Sequence, residues 1–364
     1  MRVVIAPDKF AGTLTAVEAA AAIAEGWARR APGDELVQVP MSDGGPGFVD
    51  VLHAALGGEL QAVTVRDPYG VPVPASVLRV GTTAYLECAE AVGLHLTAPE
   101  DRRAEHGSTY GLGELVRAAV TGGATRVVVG LGGSGTNDAG AGLLAALGAT
   151  CAAGSLVEGP AGLAEVAGVD VGPARDLVAG VELVTASDVD NPLLGITGAT
   201  KVFGPQKGLP DERLVVVDGW LQHFAEATDR KLAARKGTGA AGGLGFALQL
   251  LGAEQTSGVA LVAEAVRLAD VVAGSDLVLT GEGAFDFQSR SGKVPYGVAE
   301  VAAAQTVPVV ALAGQVLVGA REMRALGVES AYALVDLVGE ERAFAAPAQA
   351  LAELAERTAR TWSR

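Results

Sequence analysis

Two aspartates at the end of a predicted strand have the residue types and spacing for metal or acid–base chemistry. Asp188 and Asp190 follow the apolar run 181–185 and are separated by one residue. Extended backbone places residues i and i+2 on one side of the chain, and two hard oxygen ligands suit Mg²⁺, which binds one or two carboxylates together with water and phosphate. The alternative is that both residues simply end the strand ahead of Pro192. We predict that the pair binds the metal or supplies the general base, and both assignments stay open.

Two lysines in glycine-flanked loops are candidates for contact with phosphate. Lys207 lies in the segment FGPQKG, and Lys293 directly follows Ser291-Gly292. The long lysine side chain can carry its ammonium group to phosphate oxygens, although either residue could instead be a solvated lysine without function. We predict both as catalytic residues.

The stretch 127–142, VVVGLGGSGTNDAGAG, predicts a strand, a glycine-dense turn and a helix over residues 139–147. This layout can aim backbone N–H groups at an anion, and glycine allows the backbone to approach a ligand closely. Hydroxyl, amide and carboxylate side chains at positions 134–138 should lie at the mouth of the turn. The alternative is an ordinary tight turn with an Asn/Asp helix cap. The predicted cofactor-binding residues are Gly132, Gly133, Ser134, Thr136 and Asn137.

Two familiar nucleotide motifs fit this stretch poorly. Residues 130–135 match G-x-G-x-x-G, but the acidic residue expected about 20 positions on, after a second strand, has no good candidate. The phosphate loop G-x-x-x-x-G-K-[ST] is absent because no lysine follows the glycines. We therefore predict a phosphate-binding loop of a less common kind.

Polar and charged residues also follow the first two predicted strands. Asp8 and Lys9 come directly after the first strand, and Ser42 and Asp43 come after the second. Ligands of parallel sheets bind outside the carboxyl ends of the strands. We predict that these four residues bind the substrate.

A carboxylate between two glycines marks the end of a later strand. Glu282 follows the predicted strand 276–280 directly, with Gly281 and Gly283 on either side. A carboxylate in this place is seldom a packing residue. We predict that Glu282 takes part in cofactor binding.

Composition excludes several classes of function. The 364 residues carry 27 basic and 42 acidic side chains, a net charge of −15, which disfavours a nucleic-acid surface. No apolar run is long enough to span a bilayer, and because the first residues predict a strand, we expect no signal peptide. Two cysteines and four histidines form no metal-ligand spacing and no disulfide framework, which favours a cytoplasmic setting.

The remaining chemistry suits phosphoryl transfer. We find no defensible Ser-His-Asp or Cys-His arrangement, which leaves carboxylates, lysines, hydroxyls and glycine loops. In phosphoryl transfer, positioning and charge neutralisation supply most of the catalysis. The residues therefore predict a phosphate donor and a small-molecule acceptor as partners, with neither nucleic acid nor membrane, and a homodimer stays open.

The elements that must position these residues predict an α/β fold with two domains. A βαβα start, with a capping box at Thr15 and Glu18, is typical of a doubly wound parallel sheet. Short strands over residues 60–88 predict a β-meander and a new domain. The βα rhythm returns at Asp276. We predict five strands in one sheet from residues 1–57 and 275–364, with 58–274 as an insert.

Taken together, these stretches resemble the type-1 glycerate kinases over nearly the whole chain. Nine blocks in one order make the resemblance specific. They are APDKFAGTLTA from Ala6, SDGGPG from Ser42, STYGLGELVRA from Ser108, GGSGTNDAGAG from Gly132, SDVDNPLLG from Ser187, VFGPQKG from Val202, GAAGGLG from Gly239, TGEGAFDFQSRSGKVPYGVA from Thr280 and ALAGQV from Ala311.

The resemblance implies a discontinuous flavodoxin-like domain and an inserted α/β domain, with the active site in the cleft between them. It also implies an ATP- and Mg²⁺-dependent kinase of D-glycerate, with 2-phosphoglycerate as the favoured product.

This chain departs from the family pattern at four loop positions. Ala11 stands where the family usually has lysine, Pro46 and Phe48 where it has glutamate and threonine, and Ala284 where it has arginine. If those groups hold the substrate carboxylate, the acceptor differs from glycerate. Two alternatives therefore stay open: a kinase of another small hydroxy acid, and a non-catalytic ligand-binding relative.

Because the candidate residues are divided between the two predicted domains, we expect catalysis to require domain closure, which excludes water and aligns donor and acceptor. A non-hydrolysable ATP analogue added together with the acid should lower the radius of gyration measured by small-angle scattering. An unchanged radius at saturating ligand would contradict closure.

Overall fold

The computed structural model describes residues 1–10, 12–286 and 293–363. Its contacts divide the chain into two compact units. The terminal unit comprises residues 1–43, 50–56 and 257–364, and the central unit comprises residues 44–49 and 57–256. The domain boundaries given above stay a prediction.

The strands are listed first, in chain order. They are β1 (Arg2–Ile5), β2 (Glu35–Gln38), β3 (Glu59–Arg66), β4 (Pro72–Val80), β5 (Thr83–Glu87), β6 (Arg126–Gly130), β7 (Glu182–Ala186), β8 (Glu254–Thr256), β9 (Leu277–Phe285), β10 (Val309–Val316) and β11 (Ser330–Ala333).

The α-helices follow the same chain order. They are α1 (Ala16–Arg30), α2 (Phe48–Leu56), α3 (Cys88–Val92), α4 (Tyr110–Thr121), α5 (Ala141–Ala146), α6 (Gly159–Gly162), α7 (Gly172–Leu177), α8 (Ala199–Phe203), α9 (Leu214–Ala227), α10 (Ala240–Leu250), α11 (Gly258–Ala265), α12 (Leu268–Val272), α13 (Val294–Ala304), α14 (Ala320–Ala325), α15 (Leu334–Val338), α16 (Glu340–Ala345) and α17 (Pro347–Trp362).

The terminal unit contains a parallel sheet in the order β11-β10-β9-β1-β2. Numbered along this unit alone, the order is 2-1-3-4-5, the flavodoxin-like order, whose direction reverses between the first and third strands. The predicted sheet of two early and three late strands is confirmed. The reversal between β1 and β9 is the point where such sheets bind their ligands.

Apolar residues on both faces of the strands explain why this sheet is covered on two sides. Val3 and Ile5 join one core cluster with α1 and α17, while Val4 and Val278 point to the other face and are also fully buried. Parallel sheets have both faces covered in this way. The predicted capping box begins α1: the Thr15 hydroxyl accepts from the Glu18 N–H, and the Glu18 carboxylate accepts from the Thr15 N–H.

The central unit has its own six-stranded sheet in the order β3-β4-β5-β6-β7-β8. The first three strands pair antiparallel, as the predicted meander requires, and β5 to β8 pair parallel. The carboxyl ends of β6 and β7 carry the glycine turn and the two aspartates. Among the described residues, no helix combines the length and apolar character needed to cross a membrane.

A small residue at the contact of α1 with α17 gives a test of the terminal unit. A Cβ atom at Gly26 would overlap the backbone carbonyl of Ala352 in α17, whereas one at Gly33 would meet nothing within 4 Å. We expect Gly26→Ala to lower the free energy of unfolding by about 1–3 kcal/mol, the usual cost of overpacking. The matched control Gly33→Ala should have little effect in the same urea titration. Equal midpoints for the two variants would show that the helices do not pack this closely.

Candidate functional site

A cluster of carboxylates and lysines lies at the carboxyl ends of β1 and β9 in the terminal unit. The backbone N–H of Asp8 donates to the Gly281 carbonyl at 2.8 Å, which sets Asp8 beside the end of β9. Lys9 Nζ lies 3.4 Å from Asp8 Oδ1 and 3.1 Å from Asp43 Oδ1. Three of the predicted substrate-binding residues therefore meet at the reversal point of the sheet. The fourth, Ser42, is buried next to Asp43 in the chain.

The electrostatics of this cluster favour a carboxyl group that titrates near neutral pH. Burial raises the pKa of Asp8 to about 7, against the opposing pull of Lys9, and the carboxylates of Asp43 and Glu282 add to the rise. Burial lowers the pKa of the Lys9 ammonium, but Asp8 and Asp43 outweigh it, so the net pKa is raised. Lys9 thus stays charged, while Asp8 is poised to take up or release a proton near pH 7.

Glu282 extends the cluster along β9. Its side chain is buried, and its Oε2 lies 3.4 Å from Nζ of Lys293. Lys293 also reaches Asp286 Oδ1 at 3.5 Å. The predicted end of this strand was wrong: β9 continues to Phe285 and Glu282 pairs with Ala313 of β10. Backbone pairing with β10 keeps β9 extended beyond Gly281 and Gly283. This pairing involves residues distant in the sequence, so the local sequence does not predict it.

The glycine turn after β6 in the central unit uses several of its N–H groups internally. Leu131 donates to Ala186, Gly132 to Gly44, and Gly135 to Val92. These bonds fix the path of the turn and remove three donors that an anion could have used. Gly133 takes φ +78°, a conformation that glycine adopts readily. The phosphate-binding role of Gly132 and Gly133 stays a prediction.

The predicted helix start at residue 139 is wrong. Ala139 and Gly140 have φ of 55° and 73°, and α5 begins only at Ala141. The carboxylate of Asp138 accepts from the N–H groups of Gly140 and Gly142, while the Ala139 N–H donates to Gly242. These bonds stabilise left-handed backbone in place of the first helical turn.

The polar side chains of the turn are buried, so the expectation that they lie at an open mouth is wrong. Ser134 is 6% exposed and Thr136, Asn137 and Asp138 at most 1%. Asp138 accepts from the N–H and hydroxyl of Thr109. Among the described residues, the Asn137 amide donates to Thr200 Oγ1 at 2.9 Å, and its buried Oδ1 has no hydrogen-bond partner.

Lys207 lies beneath the glycine turn, with only 2% of its surface exposed. Its Nζ donates to the Thr136 carbonyl at 2.5 Å and approaches Ser134 Oγ at 3.3 Å. Burial lowers the pKa of this ammonium to about 8, partly offset by Cys88 and Asp138. In this structure Lys207 therefore positions the turn, and its predicted catalytic contact with phosphate stays a prediction.

The second glycine-rich segment, residues 237–245, packs directly against the first. Ser134 Oγ donates to the Ala241 carbonyl at 3.1 Å, and a Cβ atom at Gly242 would overlap the carbonyl of Thr136. Residues 241–243 are left-handed within α10. In the sequence this segment contributes the block GAAGGLG from Gly239, and its run of small residues is the signal for the close packing.

Asp188 and Asp190 follow β7, as predicted. Asp188 is half-buried, and the exposed Asp190 forms an ion pair with Lys236, Oδ2 to Nζ 2.8 Å. Within the described ranges, no group of three or more His, Cys, Asp or Glu side chains could hold a metal ion. A pair of carboxylates still fits Mg²⁺, because this ion usually keeps several waters and takes further oxygens from substrate phosphates.

One buried carboxylate near the glycine turn was missed. Glu87 ends β5, is 5% exposed, and accepts from the Gly47 N–H at 2.9 Å. The signal was the one used for Glu282: an acidic residue at the end of an apolar strand. Its contact shows that it holds the segment 44–49 against the sheet of the central unit.

Comparison with known proteins identifies the family of this chain. The model of the glycerate kinase family matches residues 3–363. A glycerate kinase of Bacillus subtilis (strain 168) is 41% identical, with 99% of this chain and 96% of that protein covered. A glycerate 2-kinase of Escherichia coli (strain K12) is 38% identical, with 93% and 92% covered. A crystal structure assigned as glycerate kinase 2 from Salmonella typhimurium LT2 has a TM-score of 0.82 and 34% identity over 99% of this chain and 98% of that one.

Lys207 gives a pH-dependent test of the central unit. Its pKa is about 8 in the folded chain and 10.5 in its ordinary state, so between these values the unfolded chain binds more protons and stability rises with pH. Across this pH range the change in the protonation of Lys207 raises the free energy of unfolding by about 3 kcal/mol. We expect Lys207→Met to remove this rise from unfolding titrations between about pH 8 and pH 10.5, a window set by the two pKa values.

The matched control is Lys231→Met, which removes an exposed lysine of the same unit. Burial raises the pKa of the Cys88 thiol, which acts in the opposite direction, and Lys207 opposes that rise. The three proteins are therefore compared in a Cys88→Ala background, which removes this contribution. Identical pH slopes for the wild type and Lys207→Met would contradict the lowered pKa of the buried Lys207.

Proposed function

Because this chain belongs to the glycerate kinase family, we propose that it transfers the terminal phosphoryl group of ATP to a hydroxyl of D-glycerate, with Mg²⁺ as the metal. The product is proposed to be 2-phosphoglycerate, the product expected from the resemblance described above. The glycerate 2-kinase of Escherichia coli, 38% identical to this chain, supports this choice of hydroxyl. The two cysteines, both free thiols, support a cytoplasmic enzyme.

The observation that carries this proposal is the cluster at the ends of β1 and β9. It combines two ammonium groups, of Lys9 and Lys293, with carboxylates that hold them in place. We assign the acceptor carboxylate to Lys9 and a phosphate oxygen to Lys293. An ammonium group that is already oriented loses little freedom on binding an anion, which favours both affinity and alignment.

We assign the metal to Asp188 and Asp190. Bound Mg²⁺ supplies charge neutralisation on the transferring phosphoryl group. Asp190 forms an ion pair with Lys236, and the exposure of both side chains allows the carboxylate to exchange this partner for a metal ion. The chain's own contribution is to hold two oxygen donors at the end of β7.

We assign the general base to Asp8. A base works best when its pKa lies near the working pH, and the pKa of Asp8 is about 7. Its burial at the reversal point of the sheet places it among the groups assigned to the acceptor. This assignment separates the base from the metal ligands, which the sequence left together.

A coupled assay of ADP release over a panel of hydroxy acids tests the proposal. Turnover of D-glycerate supports it. Turnover of another acid only would favour the kinase of a different hydroxy acid, and ATP or acid binding without turnover would favour the non-catalytic relative. Identification of the product by phosphorus NMR decides between the two hydroxyls of glycerate.

We expect Asp190→Asn to lower kcat by at least about a hundredfold, the usual scale for such groups. Asp176→Asn, which changes an exposed carboxylate of α7 in the same unit, is the control. Steady-state kinetics at several Mg²⁺ concentrations measure the effect. A loss of less than tenfold in a folded variant would remove Asp190 from the metal site and from catalysis.

We expect kcat/KM of the wild type to rise with pH through about 7 as Asp8 loses its proton. Asp8→Asn should lower kcat by about a hundredfold and abolish that rise. Asp50→Asn, at an exposed position of α2, should retain the wild-type profile. If the rise persists in Asp8→Asn, a different group is the base.

A further inference from the structure

An apolar cavity of about 240 Å³ lies in the terminal unit at the carboxyl ends of β9 and β10. Its walls come from the strand ends, from the loop after β1 and from the helices α15 and α16. They include Phe10, Ala284, Leu334, Val335 and Phe344. Phe344 is 60% exposed, although it is a large apolar side chain.

The cavity adjoins the charged cluster of the candidate site. Phe10 directly follows Lys9, and it packs over the strand: a Cβ atom at Gly281 would lie 3.4 Å from its ring. Ala284 is two residues after Glu282 in β9, so both side chains point to the same side of the strand. The spacing is roughly 7 Å, twice the rise per residue. One small molecule can therefore reach both regions.

The lining determines which part of a molecule belongs there. Among the described residues that form the walls, none is charged, and Thr13 and Gln315 supply the polar side chains. A carboxylate or phosphate would lose its hydration in the cavity without gaining an ion pair, which is costly. An apolar group has no such hydration to lose, so its transfer into the cavity carries no comparable free energy cost.

The volume sets the size of that group. An apolar cavity of about 150 Å³ holds benzene in another protein. The cavity of about 240 Å³ in this chain accommodates a phenyl or branched alkyl group, and the hydroxymethyl group of glycerate would leave most of it empty.

We propose that this cavity is an acceptor subsite that binds the apolar substituent of a 2-hydroxy acid, whose carboxylate lies at the neighbouring lysines. The inference rests on the proposed function, because it assumes that the acceptor binds at the cluster of Asp8 and Lys9. It adds a substrate class: 2-hydroxy acids with a branched alkyl or phenyl group bind more tightly than lactate, which carries only a methyl group.

The experiment uses lactate, 2-hydroxyisocaproate and 3-phenyllactate, each as both enantiomers, with the full chain. Calorimetry measures binding, and inhibition of ADP release identifies the competing substrate. We expect affinity to increase along this series by at least about tenfold, in line with the discrimination that apolar pockets achieve. 3-Phenyllactate should compete with glycerate and not with ATP.

Two variants fill the cavity from two different elements of its lining: Ala284→Leu from β9 and Ala343→Leu from α16. Each should weaken 3-phenyllactate binding by about tenfold or more relative to lactate. Leu317→Ala changes an exposed leucine just after β10 that does not line the cavity, and it should leave the affinity series unchanged. Using two variants keeps the test valid if one of them fails to fold.

Competition of 3-phenyllactate with ATP would overturn the proposal and assign the cavity to the adenine ring. Equal affinity for lactate and 3-phenyllactate, or variants that bind both as the wild type does, would also overturn it. If no acid is phosphorylated, the proposed function fails by itself, and calorimetry of the same variants still decides the role of the cavity.

Discussion

The concentration of carboxylates at the reversal point of the five-stranded sheet is the constraint on which the candidate site depends. Asp8, Asp43 and Glu282 would repel one another if they were alone, and Asp8 and Glu282 are also buried. Lys9 and Lys293 make the arrangement stable because each lies between two carboxylates. Such a network fixes the orientation of both ammonium groups before any ligand arrives, and preorganised charge of this kind is the largest contribution that a protein makes to many reactions.

In the central unit, the main structural constraint is that an irregular glycine turn must be held in one conformation. Buried contacts hold the turn in place: the ammonium group of Lys207 lies beneath the turn, and the segment 237–245 packs against the turn. Hydrogen bonds to a carbonyl and a hydroxyl group offset only part of the free energy cost of burying this charge, so the pKa of Lys207 is lowered to about 8. The turn is thereby rigid, and its remaining donors are held at fixed positions.

Much of this architecture was predictable because it follows from local patterns. The apolar strands, the capping box at Thr15 and the position of Asp8 after β1 depend on neighbouring residues, and the predicted family and fold class are confirmed. The errors arise where distant residues decide the backbone. Ala139 adopts a left-handed conformation because its N–H donates to the carbonyl of Gly242. Strand β9 continues past Glu282 because β10 pairs with this part of β9. Lys207 has an ordinary loop sequence, and only the packing of a distant segment makes it a buried cation.

The pairing of β1 with β9 has a consequence for how the chain is made. The Thr280 hydroxyl donates to the carbonyl of Ala6, across a separation of 274 residues. During synthesis from the amino terminus, the first two strands therefore emerge long before their neighbours in the sheet. Their apolar side chains therefore stay exposed to solvent, or bound by a chaperone, while the intervening residues are translated. Contacts between residues so far apart in the chain also form slowly. The central unit lies wholly within that interval and can complete its own core first. The order of residues along the chain thus makes the end of the terminal sheet that carries the candidate site one of the last parts of the protein to assemble.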